Sequence, residues 1–81
     1  MSKLQEKIIK CIHIAIEQEL PIEEHTDLRG EGLDSLATVE LVMELEDAFD
    51  IQFEDTDMIV DNFFTMNKIV ETLTRYGVAN E

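Results

Sequence analysis

Ser35 is the residue in this chain best placed to do chemistry. It stands in Gly32-Leu33-Asp34-Ser35-Leu36, where a glycine-bearing loop gives way to residues 36–49, a run with helical spacing and almost no breakers. Asp and Ser are the residue types that satisfy the free backbone N–H groups of a first helical turn, so a helix start is expected here. A hydroxyl at such a point is exposed, rigidly presented and flanked by an acid. The only other serine, Ser2, falls in a terminus expected to fray. Asp34-Ser35 taken alone is an ordinary helix cap; the residues after it are what favour a chemical role.

Other chemistries fit less well. A Gly-x-Ser-x-Gly nucleophile elbow needs glycine where Ala37 stands, and 81 residues leave little room for a shielded triad and oxyanion hole. His13 falls on a polar helix face and His25 in a loop, positions typical of solvated imidazoles. Cys11 lies in an apolar stripe and reads as a core residue. The acidic stretch at residues 50–57 lacks the glycine and terminal glutamate of a calcium loop, leaving only weak, nonspecific Mg²⁺ or Ca²⁺ association. No catalytic residue and no metal ligand set is expected.

The elements that position Ser35 are read as helices. Leu4, Ile8, Cys11 and Ala15, with Ile12 beside them, form the stripe of a first helix that Pro21 ends; Ile14 falls on the polar side, as a rim contact or a tolerated exposed residue. Residues 22–34 read as a long loop anchored by Leu28 and Leu33. A second helix spans residues 35–49. Met58, Ile59, Phe63 and Phe64 suggest a short third helix, and Thr65 caps a last one carrying Ile69, Val70 and Leu73 that stops near Gly77. The expected fold is an all-α small four-helix bundle, with a long loop between the first and second helices and a short third helix, all in one domain covering residues 1–81.

The second helix carries two apolar stripes. At 100° per residue, Leu41, Val42, Leu45, Ala48 and Phe49 share the face a bundle would bury. Leu36, Val39 and Met43 lie roughly opposite, rimmed by Glu40, Glu46 and Asp47. Folding needs only one such stripe, so the second is expected to dock partners unless the third helix or the loop covers it.

Charge points the same way. Six Lys and Arg oppose nineteen Asp and Glu, for a formal net charge of −13. Between Glu31 and Asp61 there are eleven acids and no Lys or Arg. Such a surface repels nucleic acid and anionic lipid and steers encounters with basic protein surfaces. No nucleic acid or membrane partner is expected. One cysteine, no secretory signal at the start and no bilayer-length apolar run make a cytoplasmic monomer the expectation.

The stretch Gly32-Leu33-Asp34-Ser35-Leu36-Ala37-Thr38-Val39-Glu40-Leu41-Val42-Met43-Glu44-Leu45-Glu46 closely resembles the acyl carrier protein family. The resemblance is specific over residues 27–53 and looser in the flanking helices. It implies a non-enzymatic carrier with a 4′-phosphopantetheine arm from coenzyme A on Ser35, attached by a phosphopantetheinyl transferase and holding acyl cargo as a thioester. It also implies that Asp34, Leu36, Val39, Glu40, Met43, Glu46 and Asp47 meet acyl-loading and acyl-transfer enzymes through basic docking surfaces. Arg29-Gly30-Glu31, Glu54 and Asp61-Asn62-Phe63-Phe64-Thr65 depart from the housekeeping fatty-acid pattern. The expected role is therefore a stand-alone carrier for fatty acid, polyketide or related biosynthesis. The alternatives are an aminoacyl or peptidyl carrier of a nonribosomal peptide-type pathway, and an unmodified acidic helical adaptor.

Overall fold

In the computed structural model, which describes residues 2–78, three α-helices surround one apolar core. The first, α1 (Lys3–Ile16), is capped by Ser2: its hydroxyl accepts the Gln5 N–H at 3.2 Å while the Gln5 side chain accepts the Ser2 N–H at 3.1 Å. Two free donors are satisfied reciprocally. Leu4, Ile8, Cys11, Ile12, Ala15 and Ile16 form its buried face. Pro21 is not what ends this helix. Glu17 adopts a left-handed conformation (φ 57°, ψ 36°) and its N–H bonds to the His13 carbonyl, so the helix closes well before the proline.

The following loop is pinned at several points. Ile22, Leu28 and Leu33 are buried in it. Residues Leu28–Glu31 form a 3₁₀ turn capped by Asp27, and the Leu28 N–H donates to the Phe64 carbonyl at 2.8 Å. Arg29 reaches back to both carboxylate oxygens of Asp27 at 3.0 Å and stacks on the Phe64 ring. That ion pair holds the Asp27 carboxyl below its ordinary value, chiefly through the side-chain hydrogen bond.

The second helix, α2 (Ser35–Phe49), packs chiefly on α1 through Ala37, Thr38, Leu41, Val42 and Leu45, with Ala48 and Phe49 half-buried against the core. It ends at Asp50, also left-handed. The expected short third helix is absent. Residues 51–64 instead make two 3₁₀ turns, Asp55–Asp57 and Val60–Asn62, and Met58 and Ile59 lie between them with their side chains partly in solvent. The four-helix bundle expected from the sequence is thus a three-helix fold with an irregular connection. The cause is local: Asp57 and Asp61 at i, i+4 would repel on a helix, and Asp, Asn and Thr side chains favour turns.

Side chains from both neighbouring helices hold this connection. Glu46 of α2 accepts the Phe53 N–H at 2.9 Å. The Tyr76 hydroxyl, at the end of α3 (Met66–Arg75), donates to Asp57 Oδ2 at 2.6 Å and accepts the Glu54 N–H at 2.9 Å. Phe53 meets Phe63 and Tyr76 edge-on, with centroids 5.5 and 4.9 Å apart. Thr65 caps α3 by accepting the Lys68 N–H at 3.1 Å, and Met66, Ile69, Thr72 and Leu73 face inward.

Two outcomes follow from this packing. Leu45 is fully buried whereas Met43 is 57% exposed, so Leu45→Ala should cost about 2–5 kcal/mol in denaturant melts and Met43→Ala less than about 1 kcal/mol. The second concerns Tyr76, whose phenol is raised above its ordinary value by the hydrogen bond to Asp57. Folding therefore favours the protonated phenol; its contribution is intact below the unfolded value, near pH 10, and is lost as pH climbs through the raised one. Thermal melts from pH 8 to 11 should show an alkaline loss of stability that shrinks in Tyr76→Phe.

Candidate functional site

The start of α2 is fixed by Asp34. Its backbone is extended (φ −92°, ψ −170°), its Oδ1 accepts the Ala37 N–H at 2.8 Å, and its carbonyl accepts from both the Thr38 N–H (2.9 Å) and the Thr38 hydroxyl (2.8 Å). Asp34 is thus the cap, and Ser35 is the first helical residue, exposed to solvent. Gly32, at φ 108°, makes the left-handed turn that leads into this start; a side chain there would be strained by the backbone itself. The glycine lies against Gln18 and Ile16, so the end of α1 sits beside the serine motif.

Around this point the structure brings together most of the residues singled out in the sequence. Leu36, Val39 and Met43 are 76%, 57% and 57% exposed, on the side of α2 away from its buried residues. Glu40 and Asp47 are exposed on the same side. Glu46 differs: it is half-buried and one carboxylate oxygen is engaged by the Phe53 N–H, so part of its role is to anchor the connection.

Two grooves flank Ser35. The first, about 430 Å³, runs from Ser35 along Val39, Met43 and Glu46 and is walled on its far side by Met58, Ile59 and Val60. The connection thus borders the second apolar stripe of α2 without covering it. The other groove, about 470 Å³, lies between α1 and α2 and is lined by Ile14, Glu17, Gly32, Asp34, Leu36 and Glu40 among others. Met58, Ile59, Ile14 and Glu17 were not identified as site residues from sequence. Their sequence signals are the off-stripe position of Ile14 and the apolar Met58 and Ile59, which read as part of a short third helix.

The remaining reactive side chains lie elsewhere in function. Cys11 is buried, and burial, with a smaller contribution from the Glu44 carboxylate, pushes its thiol up to about 11, so it is not a nucleophile at neutral pH. His13 Nε2 bonds the Leu20 carbonyl at 2.9 Å and His25 Nδ1 meets the Asn67 amide at 3.3 Å; both imidazoles act as loop ties. Among the described residues no three His, Cys, Asp or Glu side chains are grouped to hold a metal, and no helix is long and apolar enough to cross a membrane.

The site can therefore offer a hydroxyl. Ser35 is exposed at the end of an open, mostly apolar groove, and the neighbouring carboxylate is directed into the helix cap. A long group joined to Ser35 Oγ has room to leave the surface or to lie along the groove, so the local geometry fits a covalently tethered arm.

Comparison with known proteins agrees with that geometry. The family model described as "Phosphopantetheine attachment site" matches residues 2–74. D-alanyl carrier proteins of Streptococcus sanguinis and Streptococcus gordonii are 42% and 40% identical to the chain, and that of Streptococcus mutans 39%; each alignment covers 82% of this chain and 91% of the relative. No solved structure matches at comparable significance. With a family model spanning nearly the whole chain and relatives this similar, the protein belongs to the phosphopantetheine-binding carrier protein family, whose members bear 4′-phosphopantetheine covalently.

Proposed function

We propose that this chain is a non-enzymatic carrier whose arm is joined to Ser35 and whose cargo is an aminoacyl group, D-alanine being the specific candidate. The single observation that carries the attachment point is the exposed Ser35 hydroxyl at the first position of α2, immediately after the Asp34 cap. In the reaction, Ser35 Oγ forms a bond to the phosphorus that bears the pantetheine in coenzyme A. The bond from that phosphorus to the adenosine bisphosphate moiety breaks, and the serine proton passes to a base on the transferase. The attached group ends in a thiol, which holds cargo as a thioester.

The cargo assignment rests on the relatives. Curated proteins 39–42% identical over most of the chain are D-alanyl carriers, which favours the aminoacyl alternative over a fatty acid or polyketide cargo. An unmodified adaptor has no such support. Asp34, Leu36, Val39, Glu40, Met43 and Asp47 are assigned to partner docking, with Glu46 contributing from the groove edge. Their support is an apolar strip with an acidic rim, in a protein of net charge −13, suited to basic enzyme surfaces. Because the group is tethered, its effective concentration in a docked partner's active site is set by reach rather than by bulk concentration.

Incubation with coenzyme A and a broad-specificity phosphopantetheinyl transferase should add roughly 340 Da, the mass of the arm. Ser35→Ala should gain nothing while keeping its helicity, since Asp34 still caps α2. A modified alanine variant would move the site elsewhere; loss of helicity would make Ser35 structural. The cargo is read by a second mass step, in which the arm-bearing protein gains one alanyl residue from D-alanine, ATP and an adenylating ligase.

Glu40→Lys should slow attachment at low ionic strength. Steering by an exposed charge acts on association rate and fades once the screening length falls to about 10 Å, near 0.1 M salt. Attachment rates for wild type and variant at low and moderate salt should therefore converge as salt rises. A deficit that salt leaves unchanged would mean that Glu40 acts by direct contact.

A further inference from the structure

Ile14 is an exposed aliphatic side chain on a helix whose apolar face is otherwise buried. A single exposed isoleucine is unremarkable on a protein surface. This one is not isolated. It is 54% exposed and lines the same groove as Leu36, itself 76% exposed, and the groove's charged residues are Glu17, Asp34 and Glu40, with no lysine or arginine in the lining. The pairing depends on tertiary structure. The left-handed turn at Gly32 lies against Ile16, which sets the last turn of α1 beside the first turn of α2.

We propose that this groove is part of the footprint of the enzyme that modifies Ser35: Ile14 and Glu17 of α1 complete, with Leu36 and Glu40, a docking surface for the basic surface of a phosphopantetheinyl transferase. The inference rests on Ser35 being the acceptor. Its occupant is a lysine or arginine side chain of that enzyme, with the aliphatic stem lying over Ile14 and Leu36 and the charged head among Glu17, Asp34 and Glu40. Long cationic side chains divide between apolar and charged surroundings in this way, and the acidic lining supplies the charge complementarity.

Reach selects the transferase from among the partners. Its reacting atom is the Ser35 oxygen, so its active site must cover the residues flanking that serine. The groove contains both neighbours, Asp34 and Leu36. Enzymes that act on the thiol work at the far end of an arm roughly 18 Å long, about five extended peptide units, and need not cover the serine's surroundings at all. A surface this close to the acceptor hydroxyl, and reaching onto a second helix, is therefore assigned to the attachment step.

The test uses Ile14→Ala, Ile14→Lys and Glu17→Gln in the full chain, with attachment from coenzyme A followed by mass and each variant's thermal melt beside it. Ile14→Ala should lower kcat/KM for attachment about fivefold and Ile14→Lys about tenfold or more, with melts like wild type because the side chain is mostly in solvent. The Ile14→Ala deficit should persist at moderate salt, since it removes apolar contact, while the smaller Glu17→Gln deficit should shrink. Wild-type rates in all three variants would remove α1 from the footprint. Unfolding of Ile14→Ala would make Ile14 structural and overturn the proposal equally. Both differ from failure of the attachment reading itself, which would show as an unmodified wild type or a modified Ser35→Ala.

Discussion

The Asp34 cap is the interaction on which the rest of the site depends. One carboxylate oxygen, 2.8 Å from the Ala37 N–H, fixes the residue at which α2 starts, while burial of Leu41 and Leu45 fixes which way the helix faces. With the cap at Asp34, Ser35 is exposed at the first helical position, and Leu41 and Leu45 turn fully into the core. Leu36, Val39 and Met43 are left in solvent by the same geometry. The cap also uses the negative charge where the helix dipole favours it, at the amino end. Position, orientation and exposure of the hydroxyl thus follow from a single polar contact backed by apolar burial on the opposite face.

The far side of the first groove is built by different means. The connection after α2 has no α-helix to supply its own hydrogen bonds, so its backbone donors are satisfied by side chains from its neighbours: Glu46 for Phe53, Tyr76 for Glu54. The Tyr76 hydroxyl closes the arrangement on Asp57, and Phe53 stacks edge-on with the rings of Phe63 and Tyr76. This ties the position of Met58 and Ile59, the groove wall, to Tyr76, the residue that follows the third helix. A segment crowded with Glu54, Asp55, Asp57 and Asp61 would repel itself in a regular helix. Two 3₁₀ turns anchored by long-range bonds replace it.

Local signals were legible in the sequence, and contacts between distant residues were not. The cap at Asp34-Ser35, the extent of α2 and its two stripes, and the Thr65 cap all rest on neighbours within one or two turns, where residue type and spacing determine the outcome. The third helix was misread because Met58, Ile59, Phe63 and Phe64 have helical spacing, while the acids among them oppose the helix and only Phe63 is fully buried. Pro21 drew attention from Glu17, whose left-handed conformation carries no strong sequence signal. Glu46 looked like a rim charge because its Phe53 partner lies beyond the helix end. For Ile14 the sequence allows a rim contact or a tolerated exposed residue, and only the approach of α1 and α2 at Gly32 places it beside the serine.

For a carrier, the division between the two faces of α2 separates folding from traffic. The buried face is committed to α1 and the core, and its substitutions act on stability. Leu36, Val39 and Met43 on the exposed face are not held by the core, so their substitutions should act on partners more than on stability. The thiol end of an arm roughly 18 Å long lies well beyond the first coordination of Ser35. On the reading proposed here, a thiol at that reach is free to leave the groove beside Ser35 and enter a partner's active site. On that reading cargo identity is set by which loading enzyme recognises the carrier, and the exposed Val39 and Met43 stripe of α2 with its acidic rim is the surface left for that recognition.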